Sequence, residues 1–258
     1  MQYKIETDSR FREIMNRDFI KKCQLDSILF ESPDFRDFLT KYRFQNLLSP
    51  SFEYLETTNS SEVTISHNTD PERMFYTEMS RRPDLINLPL RCLNAVKQNA
   101  HIMQVATIGC RTEAEIFSLV NAGFNPQNIR GFDLFTNSPF IELGDVTNMN
   151  VESEAFDVTI CGWVLEFVTE LNTAASELLR VTKNGGLIAV GGMHHPISLD
   201  RDEYSSRKEH HDRKWYCSVE GIKDLFDITD NEIVFKSDID AADADKRGDI
   251  VVIFKVKK

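Results

Sequence analysis

The chain has 258 residues, is 41% hydrophobic and 28% charged, and carries a formal net charge of −11. That length and composition fit an ordinary soluble protein of one large α/β domain or of one domain with a helical appendage, and its acidity argues against nucleic acid or an acidic membrane surface as a partner, since both would be repelled. No apolar run approaches the roughly 18 residues of a spanning helix, and the opening MQYKIETDSRFREIM is charged rather than signal-like, so the expected location is cytoplasmic.

The charge is uneven. Residues 1–100 hold 14 Lys and Arg against 15 Asp and Glu, whereas residues 101–258 hold 16 against 26. A phosphorylated small molecule held by a few local arginines remains compatible with that balance. The cysteines, Cys23, Cys92, Cys110, Cys161 and Cys217, are scattered with no CxxC pair, which suggests neither a disulfide framework nor a zinc site. No metal is expected.

In chain order, the first third reads as helical and has no glycine before Gly109. Phe11, Ile14, Met15, Phe19 and Ile20 recur near helical spacing, as do Phe35, Phe38, Leu39 and Tyr42. Ser32-Pro33-Asp34 supplies an N-cap and a proline at the first helical position. Residues 49–71, with the strand-like run Glu62-Val63-Thr64-Ile65, read as an irregular link or a loop over the active site. Pro83 to Asn99 again carries a helical pattern. Residues 1–82 are thus expected to form a helical N-terminal segment, and residues 83–258 the main domain.

From Met103 the pattern alternates. Strands are expected at Met103–Ile108, Ile129–Asp133, Phe140–Leu143, Phe156–Cys161 and Leu187–Val190. Helices are expected at Thr112–Ala122, Leu171–Val181 (stopped by Asn184-Gly185-Gly186) and Val219–Phe226. Continuous apolar strands separated by helices imply a parallel sheet covered on both faces. Glu232–Lys236 and Ile250–Val256 have only the acidic loop from Asp238 to Asp249 between them and should close the sheet as antiparallel neighbours. Only 12 residues separate Asp133 from Asp145, too few for a crossover helix, so a turn through Thr136-Asn137-Ser138-Pro139 must replace it.

Ligands of open α/β sheets bind beyond the carboxyl ends of the strands. Gly109 ends the first strand and permits close backbone approach, while the following helix start offers N–H groups. Asp133 ends the second strand, where a carboxylate can accept ribose hydroxyls, and Asp145 follows the third, where it could accept from an adenine amine. Each has a plain alternative: Gly109 as a turn residue, Asp133 as an N-cap, Asp145 as a turn residue.

The segments VATIGCRTEAE, IRGFDLF, IELGDVTNM, FDVTICGWVLEFV and ELLRVTKNGGLIAVGG together resemble the class I S-adenosylmethionine-dependent methyltransferases. The resemblance covers roughly residues 100–192 and extends to 219–256 by topology. It implies a Rossmann-like α/β fold with a mostly parallel sheet and an antiparallel last strand, behind a helical N-terminal segment. It also implies S-adenosylmethionine as cofactor. Gly109 and Cys110 would lie against the methionine part, Asp133 and Leu134 at the ribose, Asp145 and Val146 at the adenine, and Gly162 and Trp163 near the sulfonium. The chain departs from the family pattern in having one glycine in the first motif, with Cys110 and Arg111 in bulkier places. GCR-x-E with DLF and GD also resembles, more narrowly, methyltransferase-like proteins of surface-polysaccharide biosynthesis.

These readings imply methyl transfer to O or N of a small polar acceptor such as a sugar or sugar-nucleotide. His194 and His195, just past the fifth strand, are the candidate bases, with polar loop or capping roles as the alternative. Arg201, Tyr204 and Arg207, with Arg213, could meet the acceptor, though the run 200–214 also reads as a solvated loop. His210-His211 lacks metal-ligand spacing. Trp163 suits the core as well as a substrate pocket, and the aromatics at 11, 19, 35 and 38 suit packing or a homodimer contact. A catalytically inactive partner or regulatory subunit on the same fold is the rival reading. A nicotinamide oxidoreductase is disfavoured because no GxGxxG follows the first strand.

Overall fold

Ser32 separates two helices, α1 (Ile28–Glu31) and α2 (Pro33–Asn46). Its hydroxyl accepts the Phe35 N–H at 3.3 Å, and Pro33 brings no N–H to be orphaned, as the sequence predicts. The structure, a computed structural model, describes residues 28–56, 68–70, 77–194, 218–239 and 246–258. Phe11, Ile14, Met15, Phe19, Ile20, Cys23, Cys217 and the run Glu62-Val63-Thr64-Ile65 lie outside the described residues.

A short strand β1 (Glu53–Tyr54) follows α2. The helix expected from Pro83 to Asn99 is two helices, α3 (Thr77–Cys92) and α4 (Asn94–Asn99). Leu93 breaks them by taking an extended conformation, with φ −72° and ψ 124°.

Thereafter come β2 (Val105–Ile108), α5 (Ala114–Asn121), β3 (Ile129–Asp133), β4 (Phe135–Thr136) and β5 (Ile141–Leu143). The chain continues through β6 (Phe156–Gly162), α6 (Leu171–Val181), β7 (Thr182–His194), α7 (Val219–Phe226), β8 (Ile233–Ser237) and β9 (Gly248–Lys255). Seven strands form one sheet in the order β5-β3-β2-β6-β7-β9-β8. The first five in that order run parallel, and β9 runs antiparallel to both β7 and β8. β3 and β5 are parallel although no helix joins them; the turn after β4 carries the chain across.

Alternate side chains of the strands feed two cores, as period-2 geometry requires. Val105, Val158, Ile160 and Ile253 meet Ile86, Leu90 and Phe117 from α3 and α5 on one face. Ala106, Ile108, Cys161 and Val252 meet Leu178 and Ile222 from α6 and α7 on the other. Phe30 and Leu39 of α1 and α2 belong to the first core, so this helical layer extends the packing beneath α5.

One expected boundary is corrected. Asn184-Gly185-Gly186 does not stop α6; the helix ends at Val181, and the chain enters β7 at once with Thr182 extended. Thr182 pairs with Phe156 but Leu187 pairs with Val158, so residues 183–186 bulge out of register. Gly185 takes φ +78° in that bulge, and a Cβ on Gly186 would stand 2.9 Å from the Asp157 carbonyl. The glycines serve a bulge rather than a C-cap. A second feature escapes the sequence pattern: β1 pairs with β4 in a separate two-stranded ribbon, with Phe52, Tyr54 and Phe135 in ring contact.

Candidate active site

Five parallel strands end on one edge of the sheet, and the predicted residues fall along it in spatial order. Asp145 follows β5, Asp133 ends β3, Gly109 follows β2, Gly162 ends β6 and His194 ends β7.

The turn after β2 is shaped by two left-handed residues. Gly109 has φ +69°, and its N–H donates to the Phe132 carbonyl at 2.7 Å. A Cβ there would meet Val164 Cγ2 at 2.2 Å, so the protein's own packing requires the glycine. Arg111 has φ +50°. Its N–H donates to Asp133 Oδ2 at 2.8 Å and its Nη1 to Asn68 Oδ1 at 3.2 Å. Cys110 turns inward, with Sγ 3.8 Å from the Phe132 carbonyl. Burial pushes its thiol well above the ordinary value, with Glu115 and Asp133 adding to the shift, so it is no ready nucleophile. The bulk of Cys110 is therefore directed into the core, and the Arg111 guanidinium is held by Asn68.

Asp133 is buried, and its Oδ1 accepts the Leu134 N–H at 2.7 Å. Burial raises its carboxyl to about 6 against the opposing bonds from the N–H groups of Arg111, Leu134 and Phe135. A carboxylate has about four acceptor positions, so capacity remains for a ligand hydroxyl. The Leu134 carbonyl accepts the Leu55 N–H at 2.7 Å, which ties the ribbon to this loop. Residues of the 49–71 link thus reach the edge at two places, Leu55 and Asn68.

Asp145 Oδ1 accepts both the N–H (2.9 Å) and the hydroxyl (2.7 Å) of Thr147, the geometry of its turn alternative. The Val146 side chain is buried in the second core, which leaves its backbone for any contact with an adenine. Trp163 is left-handed at φ +56°; its N–H donates to Gly191 O at 2.7 Å and its indole N–H to Asp249 Oδ1 at 2.8 Å. The ring is half-buried and lines a small recess together with Ile86, Asn87, Thr107, Glu115 and Gly162.

His194 is half-buried, opposite Gly248 in the β7–β9 register. Next to it, the Met193 N–H donates to Glu166 Oε1 at 3.0 Å, which fixes the end of β7 against the 3₁₀ turn Leu165–Phe167. His195, Arg201, Tyr204 and Arg207 lie outside the described residues, as do His210, His211 and Arg213. Among the described residues no three His, Cys, Asp or Glu side chains gather as metal ligands.

Sequence reasoning missed Thr107, Glu115 and Asn87. Thr107 donates to Glu115 Oε2 at 2.5 Å. Burial raises the Glu115 carboxyl to about 7, opposed by the Thr107 bond and Arg111 and assisted by Asp133. An acid on the first helical turn after the strand glycine was visible in VATIGCRTEAE, but its contact with Thr107 depends on where α5 starts.

Residues 108–190 match the family model described as "Methyltransferase domain". Among solved structures, the N-methyltransferase NodS from Bradyrhizobium japonicum, in complex with S-adenosyl-L-homocysteine, is 15% identical with a TM-score of 0.50. That alignment covers 78% of this chain and 100% of the other. A chain of a complex containing the Trm112 methyltransferase activator of Haloferax volcanii is 11% identical with a TM-score of 0.52, covering 75% of this chain and 97% of that one. At these identities the likeness is one of fold. No curated protein matches the chain. The sheet order is that of the class I methyltransferase fold, and the matched segment lies on its first five parallel strands. S-Adenosylmethionine is the cofactor of that class. No described helix is long and apolar enough to cross a membrane.

Proposed function

We propose that the protein transfers a methyl group from S-adenosylmethionine to an oxygen or nitrogen of a small polar acceptor, of which sugars and sugar-nucleotides are the first class to test. The observation that carries this reading is Asp133. A carboxylate at the end of the second strand, buried and oriented by the Arg111 and Leu134 N–H groups, is built to receive hydroxyl donors beside the Gly109 turn. The inward turn of Cys110 supports a place for the cofactor at this turn despite its single glycine.

When bound, the cofactor would supply an electrophilic methyl carbon on a sulfonium, to which an acceptor lone pair bonds in line while the carbon–sulfur electron pair leaves with the neutral thioether. The chain's contribution is mainly positional. Asp133 orients the ribose end, and Gly162 and Trp163 bound the space where donor and acceptor meet. A base must take the acceptor proton, and His194, at the end of β7, is the described candidate. His195 shares that role in this reading, and Arg201, Tyr204 and Arg207 hold the acceptor, with residues 1–82 shaping the pocket. A cytoplasmic enzyme, homodimeric and acting in polysaccharide assembly, completes the reading.

The test is a screen of monosaccharides, nucleotide sugars and small amines with S-adenosylmethionine, scored by S-adenosylhomocysteine release. Acceptor-dependent release that drops at least about tenfold in His194→Ala supports the assignment. Release from no acceptor by folded, cofactor-binding protein contradicts it and favours the partner-subunit reading.

A further inference from the structure

We propose that, within the methyltransferase reading on which this rests, Arg82 is the anion-recognition residue of the acceptor site, so that the acceptor carries a phosphate or carboxylate group. α3 crosses the sheet where β6 and β7 end. Ile86 Cδ1 is the atom that a Cβ would meet at both Gly162 (3.1 Å) and Gly191 (3.0 Å). Arg82 lies about one helical turn before Ile86 on the same face of α3. That places its guanidinium at Trp163, the residue after β6, with Cζ 5.3 Å from the ring centroid.

The Trp163 ring fixes which half of the edge this is. A Cβ on Gly191 would stand 3.1 and 3.2 Å from Trp163 Cζ3 and Cη2, so the ring lies against β7. Its indole N–H reaches on to Asp249 Oδ1 of β9 at 2.8 Å. In the strand order β5-β3-β2-β6-β7-β9, the ring therefore extends away from Asp145, Asp133 and Gly109, the residues assigned to the cofactor. It extends toward the half of the edge where β7 ends in His194. Tied by its backbone N–H to Gly191 and by its indole to Asp249, Trp163 is a fixed plate in an uncommon left-handed conformation, the kind of backbone found at ligand clamps.

Arg82 keeps its charge for a ligand. The carboxylates of this region are engaged elsewhere: Asp84 accepts from Arg36 and Ser118, Glu115 from Thr107, Asp133 from the Arg111 and Leu134 N–H groups, and Asp249 from the indole. No ion pair joins Arg82 to a carboxylate among the described residues. A second guanidinium is near. Burial first, and the like charge of Arg82 after it, lower Arg111 against the pull of Asp133 and Glu115. Residues 101–258 hold 26 acids against 16 bases, a background that repels anions, so an anionic acceptor needs a local cation. A guanidinium resting on an aromatic face keeps its N–H fork for an oxyanion.

Inorganic phosphate and acetate, titrated by calorimetry at constant ionic strength in chloride, test this. The proteins are wild type, Arg82→Gln and Arg82→Lys, each free and loaded with S-adenosylhomocysteine. Both substitutions keep a polar group at a half-buried helix position, so the fold is retained. Saturable binding of at least one anion to loaded wild type is expected, weakened at least about tenfold in Arg82→Gln and partly restored in Arg82→Lys. S-Adenosylhomocysteine affinity should be the same in all three. Tighter phosphate points to a phosphorylated acceptor, and tighter acetate to a carboxylic acid.

No saturable anion binding to loaded wild type, or binding unchanged in Arg82→Gln, overturns the inference and leaves the methyltransferase reading standing. Weakened S-adenosylhomocysteine in Arg82→Gln, with anions bound only by the free protein, assigns Arg82 to the cofactor's carboxylate and overturns it equally. Arg82-dependent anion binding by a protein that takes no S-adenosylhomocysteine supports the anion site and removes the methyltransferase reading.

Discussion

Asp133 and Glu115 are two carboxyl groups that the fold holds where their charge is penalised. Burial is the first cause in both, raising Asp133 from 3.8 to about 6 and Glu115 from 4.5 to about 7. The folded state therefore binds more protons than the unfolded state between pH 4 and 7. Their contribution to stability is fully present below the unfolded values and is lost as pH rises through the folded ones. Glu115→Gln removes the penalty while keeping the Thr107 bond. Ligand-free Glu115→Gln should match wild type in denaturant unfolding near pH 4 and exceed it by about 3 kcal/mol at pH 8. Equal stabilities at pH 8 would show that Glu115 ionises without cost. At this scale the sequence revealed positions but not partners. Gly109 and Asp133 could be picked out because a strand end demands such residues, whereas the Thr107–Glu115 bond depends on a one-turn relation between strand and helix that sequence spacing alone does not display.

The helical layer is joined to the turn above it through a buried ion pair. Arg43 of α2 pairs through Nε and Nη2 with both oxygens of Glu113, side chains 5% and 1% exposed, and the Ser138 hydroxyl donates to Glu113 Oε1 at 2.6 Å. Arg43 also lies 4.8 Å over the Phe140 ring. These contacts tie α2, the start of α5 and the loop that replaces a crossover helix. Removing one partner strands a buried charge, which typically costs about 3–5 kcal/mol. Arg43→Met should lose about that much in chemical denaturation, and the double variant Arg43→Met with Glu113→Gln should lose clearly less than the sum. Additive losses would mean that the pair is not coupled. The elements themselves were legible where one force dominates. Leu171–Val181, Val219–Phe226 and the buried strands announce themselves by periodicity. The β7 bulge and the β1–β4 ribbon did not, because a strand two residues long has no period to read and a bulge glycine looks like a helix stop.

Across the whole molecule, five parallel strand ends deliver a glycine turn, two carboxylates, a tryptophan and a histidine to one edge; the sequence indicated that these residues sit at strand ends, but not the order of the strands in the sheet. The sheet topology followed from strands alternating with helices, and the antiparallel ending followed from the missing helix between β8 and β9. The acceptor did not follow, since the residues expected to hold it lie in 195–217 and no spacing rule governs such an insertion. The central claim is that this edge binds the cofactor through Asp133. It is tested most directly by calorimetric titration of S-adenosylhomocysteine into wild type and Asp133→Ala. The account predicts binding to wild type in the micromolar range, weakened at least tenfold (about 1.4 kcal/mol) in the variant. Folded, ligand-free wild-type protein that shows neither heat nor a thermal shift, or a variant that binds as well as wild type, would contradict it.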